Sequence, residues 1–106
     1  MKEIYRLHAE MCKAFSSPAR IEILDCIGLG GLTVMGIVKR TGLGQANVSQ
    51  HLAIMKYNGV VKSKRKGRNV IYSVASPKIT KAFSIIRQAL KEKLRKNRSL
   101  EAAMEA

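Results

Sequence analysis

The chain has 106 residues, of which 20 are Lys or Arg and 7 are Asp or Glu, so its formal net charge at pH 7 is +13. This length predicts one domain, and a hydrophobic fraction of 46% excludes a chain that is disordered throughout. Such a cationic excess favours a polyanionic partner, because self-repulsion otherwise opposes the compact state. Charge alone leaves DNA, RNA, an anionic membrane and an acidic protein open.

The two cysteines, Cys12 and Cys26, form no CxxC pair. The small number of cysteines and their spacing argue against a disulfide framework and are typical of a protein in a reducing compartment. The segment Met1–Glu10 carries acids among its apolar residues, unlike a signal peptide, and no apolar run approaches the about 20 residues of a membrane span. We therefore predict a cytoplasmic protein with no membrane segment.

Helical periodicity predicts four helices before residue 58. Ser17-Pro18 and Thr33 are typical of helix starts, whereas Gly28–Gly31 and Thr41-Gly42 are typical of helix ends. The fourth helix is predicted from about Gln45 to Tyr57. The residues predicted to face inward are Ile21, Leu24 and Ile27 on the second helix and Val48, Leu52 and Met55 on the fourth. The predicted apolar faces of the amphipathic first helix and of the third consist of Ile4, Leu7, Met11 and Ala14 or Phe15, and of Val34, Ile37 and Val38.

The period then changes from helical to alternating. A hairpin is predicted from Val60 to Val74, with its turn at 66–69, and Ser76-Pro77 starts a last helix that we expect to fray after Arg98. The fold class is therefore mostly α with a two-stranded β-hairpin, in the order of four helices, two strands and one helix. We predict a domain over residues 1–98 and a flexible tail over 99–106.

A tight turn over residues 41–44 joins the third and fourth helices, which is typical of a helix-turn-helix. In that motif the second helix enters the DNA major groove, where Gln and Asn side chains can pair with adenine. The alternative is a solvated surface helix, which would more often carry Glu and Lys. The candidate base-contacting residues are Gln45, Asn47, Ser49, Gln50 and His51.

Five basic residues crowd into the predicted hairpin with no acid among them: Lys62, Lys64, Arg65, Lys66 and Arg68. A hairpin lying along the phosphate backbone would supply the missing counter-charge and would add affinity without sequence choice. The alternative is an edge hairpin that lysine keeps soluble.

The last helix is also basic, and we interpret its charges as a solvated face on a dimerisation helix, with further DNA contact as the alternative.

Three stretches together resemble the ArsR/SmtB family of dimeric repressors: Lys13–Leu24, Thr41–Leu52 and Gly67–Tyr72. The resemblance extends from about Leu7 to Leu94. It implies a winged helix-turn-helix protein in which the hairpin is the wing, the first and last helices form the dimer, the operator is an inverted repeat and an inducer releases the DNA. The expected dimer-interface residues are Ile4, Leu7, Met11, Phe83, Ile86 and Leu90.

The resemblance weakens at the sensor sites of that family. Its metal box reads roughly E-L-C-V-C-D-L, whereas residues 31–37 here read G-L-T-V-M-G-I, and no His or Asp follows Pro77. Soft metals need thiolate or imidazole ligands, so we expect no metal at the usual places and no cofactor. His8 and Cys12 are four residues apart and could share a helix face and bind one metal ion, but two ligands are too few without help from Cys26 or from the other subunit.

Some relatives sense persulfides or oxidants through one cysteine in the second helix and another in the last. Cys26 is one residue from the first of those positions, Asp25 occupies it, and the last helix has no cysteine. A Cys12–Cys26 pair would need Cα atoms within about 7 Å. Both remain candidate redox-sensing residues, and the inducer stays open.

Other functions fit the residues less well. An architectural protein that coats DNA through charge alone is the main alternative, but it would not need the polar groups of the fourth helix. RNA binding favours exposed aromatics, which are few here. We expect no enzyme, since no nucleophile–base pair, carboxylate pair or phosphate-cradling loop is recognisable.

Overall fold

The structure of the protein, a computed structural model, describes residues 2–105, the side chain of Glu101 excepted. It confirms the mostly α architecture with a two-stranded hairpin. The elements in chain order are α1 (Lys2–Ala14), α2 (Pro18–Ile27), α3 (Val34–Thr41), α4 (Gln45–Tyr57), β1 (Val61–Lys66), β2 (Asn69–Val74) and α5 (Pro77–Glu105).

Side-chain caps define where α2 and α3 begin. The Ser17 hydroxyl accepts a hydrogen bond from the backbone N–H of Arg20 at 3.2 Å, and Pro18 occupies the first helical position, where no N–H is needed. The Thr33 hydroxyl accepts from the backbone N–H of Gly36 at 3.0 Å. The helix-turn-helix thus starts at a residue whose side chain satisfies one of the free backbone donors of α3.

The core lies between α2, α3, α4 and the base of the hairpin. The prediction that Ile21 faces inward is wrong: this side chain is 37% exposed, whereas the neighbouring Ile23 is fully buried. Helix α2 is apolar on more than one side, so periodicity alone could not choose its buried face. The buried apolar residues are Ala14, Ile23, Leu24, Ile27, Ile37, Val48, Leu52, Met55, Val60, Val61 and Val74.

The two strands pair antiparallel, with Val61 opposite Val74 and Lys66 opposite Asn69. Gly67 has φ +64 at the first turn position, as a type II′ hairpin turn requires. A contact that we did not predict attaches this hairpin to the body. The backbone N–H groups of Leu32 and Tyr72 donate to each other's carbonyls at 2.9 and 2.8 Å, so the loop before α3 aligns β2.

Helix α5 continues to Glu105, beyond the predicted fraying point at Arg98. No glycine or proline follows Pro77 to end it, and the last residues are good helix formers. The division into a domain and a flexible tail stays a prediction, and Ala106 lies outside the described residues. Within residues 2–105, no helix is apolar over a membrane-spanning length.

The molecule is extended because its first and last helices project from the core. The Cα radius of gyration is 16.9 Å, compared with about 13 Å for a compact 100-residue domain. Ala14 is the one buried residue of α1, and no described residue of α5 is buried. Most of the surface of these two helices therefore has no partner within the chain.

Candidate nucleic-acid interface

Helix α4 divides into a buried side and an exposed polar side. Val48, Leu52 and Met55 are at most 1% exposed, and their spacing places them along one face. Four of the five predicted base-contacting side chains lie outside that face and are exposed: Gln45, Asn47, Ser49 and Gln50. Gln50 lies nearly opposite the core-facing side. The polar donors and acceptors of α4 are thus free to contact another molecule.

His51, the fifth predicted residue, is half-buried and contacts its own chain. Its Nδ1 accepts a hydrogen bond from Nε of Arg20 at 3.1 Å, and Nη1 of Arg20 also donates to the carbonyl of Ala14 at 3.2 Å. Arg20 therefore connects the end of α1 to α4. No local pattern in the sequence predicted this role for Arg20, although Arg20 lies in one of the stretches that resemble the family.

The hydrogen bond from Arg20 requires a neutral His51, because a protonated Nδ1 cannot accept. Burial and, to a smaller extent, the Arg20 charge lower the pKa of His51 below its ordinary value. The unfolded chain then takes up a proton near about pH 6.5 while the folded chain does not. We expect the His51 contribution to the free energy of unfolding to be complete above that pH and lost as pH falls through the lower, folded-state pKa.

Urea unfolding at about pH 7.5 and about pH 5.5 measures this effect. His51→Gln is the comparison, since glutamine offers an acceptor but does not titrate in this range. We expect the stability lost on acidification to be smaller in the variant than in the wild type. Equal losses would show that His51 does not cause the pH dependence.

The five basic residues of the hairpin are all exposed, but they do not share one face. Lys62, Lys64 and Lys66 alternate along β1 and border a groove of about 460 Å³ beside the loop 29–31. Arg65 belongs to the opposite face, across from Val70, and Arg68 follows Gly67 in the turn. The wing therefore presents cations on both faces and at its tip.

These cations have no acidic partner in the part of the chain that the structure describes. The ion pairs found there join Arg6 to Glu3 and Glu10 within α1, and Arg87 to Asp25. The wing is thus an exposed positive surface, uncompensated within residues 2–105, on a hairpin whose first strand packs against α4. Such a surface attracts a polyanion.

A second surface is apolar and lies on α1, α2 and α5. The exposed fractions are 55% for Ile4, 47% for Leu7, 39% for Met11, 61% for Ile86 and 53% for Leu90. Phe83, also predicted at the dimer interface, is half-buried and contacts Phe15 edge-on, with ring centroids 4.8 Å apart. Ile21 and Cys12 border the same apolar groove, which has a volume of about 350 Å³. Exposed apolar side chains clustered in this way are typical of an interaction site.

Both cysteines are free, Cys12 exposed and Cys26 half-buried. Burial raises the pKa of the Cys26 thiol, and the nearby Arg40 opposes this shift more weakly. A raised pKa leaves less of the reactive thiolate.

Among residues 2–105, no three His, Cys, Asp or Glu side chains come together as metal ligands. The absence of a metal site stays a prediction.

Two helices joined by a tight turn, with an antiparallel hairpin beside them, define the class of winged helix-turn-helix proteins, and α4 is the recognition helix of that fold. The family model "Bacterial regulatory protein, arsR family" matches residues 17–63. The chain is also 35% identical over 88 residues to the uncharacterized HTH-type transcriptional regulator Rv0081 of Mycobacterium tuberculosis, covering 82% of this chain and 77% of that protein. The chain belongs to the arsR family and is a DNA-binding transcriptional regulator.

Solved structures agree with this assignment. The crystal structure of Rv0081 matches with a TM-score of 0.78 at 33% identity, over 89% of this chain and 95% of that one. The homodimeric winged helix-turn-helix domain of Mb0332 from Mycobacterium bovis, a possible ArsR-family regulator, also gives 0.78, at 25% identity over 86% and 84% of the two chains. The transcriptional repressor PagR of Bacillus anthracis gives 0.70 at 28% identity, over 81% and 99%.

Proposed function

We propose that the chain is a homodimeric repressor that binds an inverted-repeat operator in double-stranded DNA and leaves it when an inducer binds. The observation that carries the proposal is the exposed polar side of α4, together with a wing that packs against this helix through β1 and whose cations have no acidic partner within residues 2–105. The polar side chains would read base edges, and the wing would contact phosphates. PagR, a similar structure, is named a transcriptional repressor.

The apolar surface supports the homodimer. Helix α5 has 29 residues, and its Ile86 and Leu90 are more than half exposed in the single chain. A second copy would cover them together with Leu7 and Met11 of α1. The similar domain of Mb0332 is homodimeric. Two-fold symmetry would place the two α4 helices on successive half-sites of an inverted repeat.

Competition binding at fixed salt tests the sequence-specific part of the proposal. An operator selected from random duplexes should bind about a thousandfold or more tighter than unselected DNA. A protein that coats DNA through charge alone would bind both equally, so equal affinities would replace the repressor proposal with the architectural one.

Variants of the wing and of α4 should lose different properties. We expect the triple change of Arg65, Lys66 and Arg68 to Ala to weaken binding to every duplex and to reduce the salt slope by about 3, if each contacts one phosphate. Gln50→Ala should mainly reduce the preference for the operator over other DNA sequences. The triple change of Arg95, Lys96 and Arg98 to Ala removes the same charge from α5 and is the control. The expectation would be contradicted if both triple variants had the same salt slope. It would also be contradicted if the wing variant and Gln50→Ala lost the same amount of preference for the operator over random DNA.

The inducer is not expected to be a metal ion at the α3 site of the family. Thr33, Met35 and Gly36 occupy the positions of the two thiolates and the carboxylate, and the Thr33 hydroxyl already caps α3. A thiol signal through Cys12 or Cys26 remains the redox hypothesis. Operator affinity under reducing and oxidising conditions, repeated with Cys12→Ser and Cys26→Ser, decides it, since a thiol sensor would lose its oxidation response in at least one variant.

A further inference from the structure

A cavity of about 370 Å³ with both polar and apolar lining residues lies between the last turn of α2, the end of β2 and one side of α5. This volume is within the range of about 300–1,000 Å³ that is usual for small-molecule sites. Its apolar lining residues include the buried Leu24 and Val74 and the half-buried Phe83. A ligand here would meet both apolar and polar groups.

One wall of the cavity is a polar stripe of α5. Its members recur at helical spacing, and the charged ones, Arg87 and Lys91, are one turn apart. Asp25 on α2 is the one acid that lines the cavity, so cations exceed anions within it. The lining residues of this wall are Thr80, Ser84, Arg87, Gln88 and Lys91.

The cavity contains a partly exposed ion pair between residues that are distant in the chain. Nη1 of Arg87 donates to Oδ1 of Asp25 at 2.9 Å, and the two side chains are 44% and 56% exposed. An ion pair this exposed contributes little to stability. A guanidinium has five N–H donors and matches a carboxylate with two parallel hydrogen bonds. Arg87 donates a single side-chain hydrogen bond among residues 2–105.

We propose that this cavity binds a small carboxylic acid with an apolar body. Its carboxylate replaces Asp25 as the ion-pair partner of Arg87 and is also attracted by Lys91. Arg87 borders both this cavity and the apolar groove of α1 and α5, and α2 packs against α3. Loss of the Arg87–Asp25 contact would therefore change how the proposed dimer helix is held against the helix-turn-helix. The regulatory consequence rests on the proposed repressor function, whereas binding itself does not.

The test is a titration of the isotope-labelled protein with sodium benzoate, followed by NMR at the amides of the cavity residues. Benzamide, a neutral molecule of the same shape, is the ligand control, and hexanoate is the second carboxylate. We expect benzoate or hexanoate, but not benzamide, to shift the signals of Asp25, Ser84 and Arg87. No shift from either carboxylate at millimolar concentration, or equal shifts from benzamide, would overturn the proposal.

Substituting the two residues of the ion pair should change carboxylate affinity in opposite directions. Arg87→Gln removes the anion partner and should weaken binding about tenfold, whereas Asp25→Asn removes the competing carboxylate and should tighten binding about threefold. Glu22→Gln neutralises an exposed acid on the same helix outside the cavity and is the matched control. Weaker binding in Asp25→Asn, or equal tightening in Glu22→Gln, would refute the exchange at Arg87.

Operator binding is measured separately on the same samples. Carboxylate binding without sequence-specific DNA binding would refute the proposed repressor function and leave the site intact. Specific DNA binding without carboxylate binding would refute only the site. With both present, we expect benzoate or hexanoate to change operator affinity severalfold in the wild type and not in Arg87→Gln; an unchanged affinity in the wild type would refute the regulatory role.

Discussion

Replacing Leu90 with glutamate is expected to give a folded monomer that binds its operator about 10²- to 10⁴-fold more weakly than the wild type. Leu90 is 53% exposed on α5, so its own chain does not depend on it for a core. In the proposed dimer the new carboxylate would be buried in an apolar interface without a partner, which costs several kcal/mol. The second recognition helix is then no longer held near its half-site.

Gln88→Glu is the matched control for that substitution. Gln88 is exposed two residues earlier on α5 and lies on the polar stripe, so the variant adds the same charge to the same helix outside the apolar surface. Sedimentation gives the oligomeric state, far-ultraviolet circular dichroism the helix content, and fluorescence anisotropy the operator affinity. A dimeric Leu90→Glu protein, or a Gln88→Glu protein that dissociates to the same extent, would contradict the proposed interface.

Gly31→Ala is expected to lower the free energy of unfolding by about 2–4 kcal/mol. Gly31 has φ +84, which L-residues rarely adopt, and an added Cβ would lie 2.6 Å from Cγ2 of Ile71 and 3.0 Å from the carbonyl oxygen of Tyr72. The contact with backbone cannot be relieved by rotating a side chain. Relief would move β2 away from Leu32 and break the two hydrogen bonds between Leu32 and Tyr72.

The neighbouring glycine supplies the control for this experiment. An alanine Cβ at Gly30 would meet no heavy atom within 4 Å, and Gly30 does not have a positive φ. We therefore expect Gly30→Ala to change the free energy of unfolding by no more than about 0.5 kcal/mol. Urea denaturation compares the two, and equal destabilisation would mean that the close approach to β2 is unimportant. Operator affinity of the folded Gly31→Ala protein should also fall, because the wing is displaced.

Local signals in the sequence were sufficient for the order of elements and for much of the candidate interface. Ser17, Thr33 and the glycines after the helices act on their own neighbours, so caps and ends could be read without tertiary contacts. The polar side of α4 could be separated from Val48, Leu52 and Met55 because one helix face has a fixed period. The buried face of α2 could not be predicted in this way, since Ile21 and Ile23 are equally apolar.

The sequence by itself determined a basic, mostly helical chain with a charged hairpin, because composition, periodicity and capping are properties of short segments. Tertiary structure alone decided that Arg20 binds His51, that Asp25 pairs with Arg87 and that Leu32 aligns β2. The partners in these contacts are 31, 62 and 40 residues apart in the numbering. No local pattern encodes such pairs, because they depend on how the helices pack around one core.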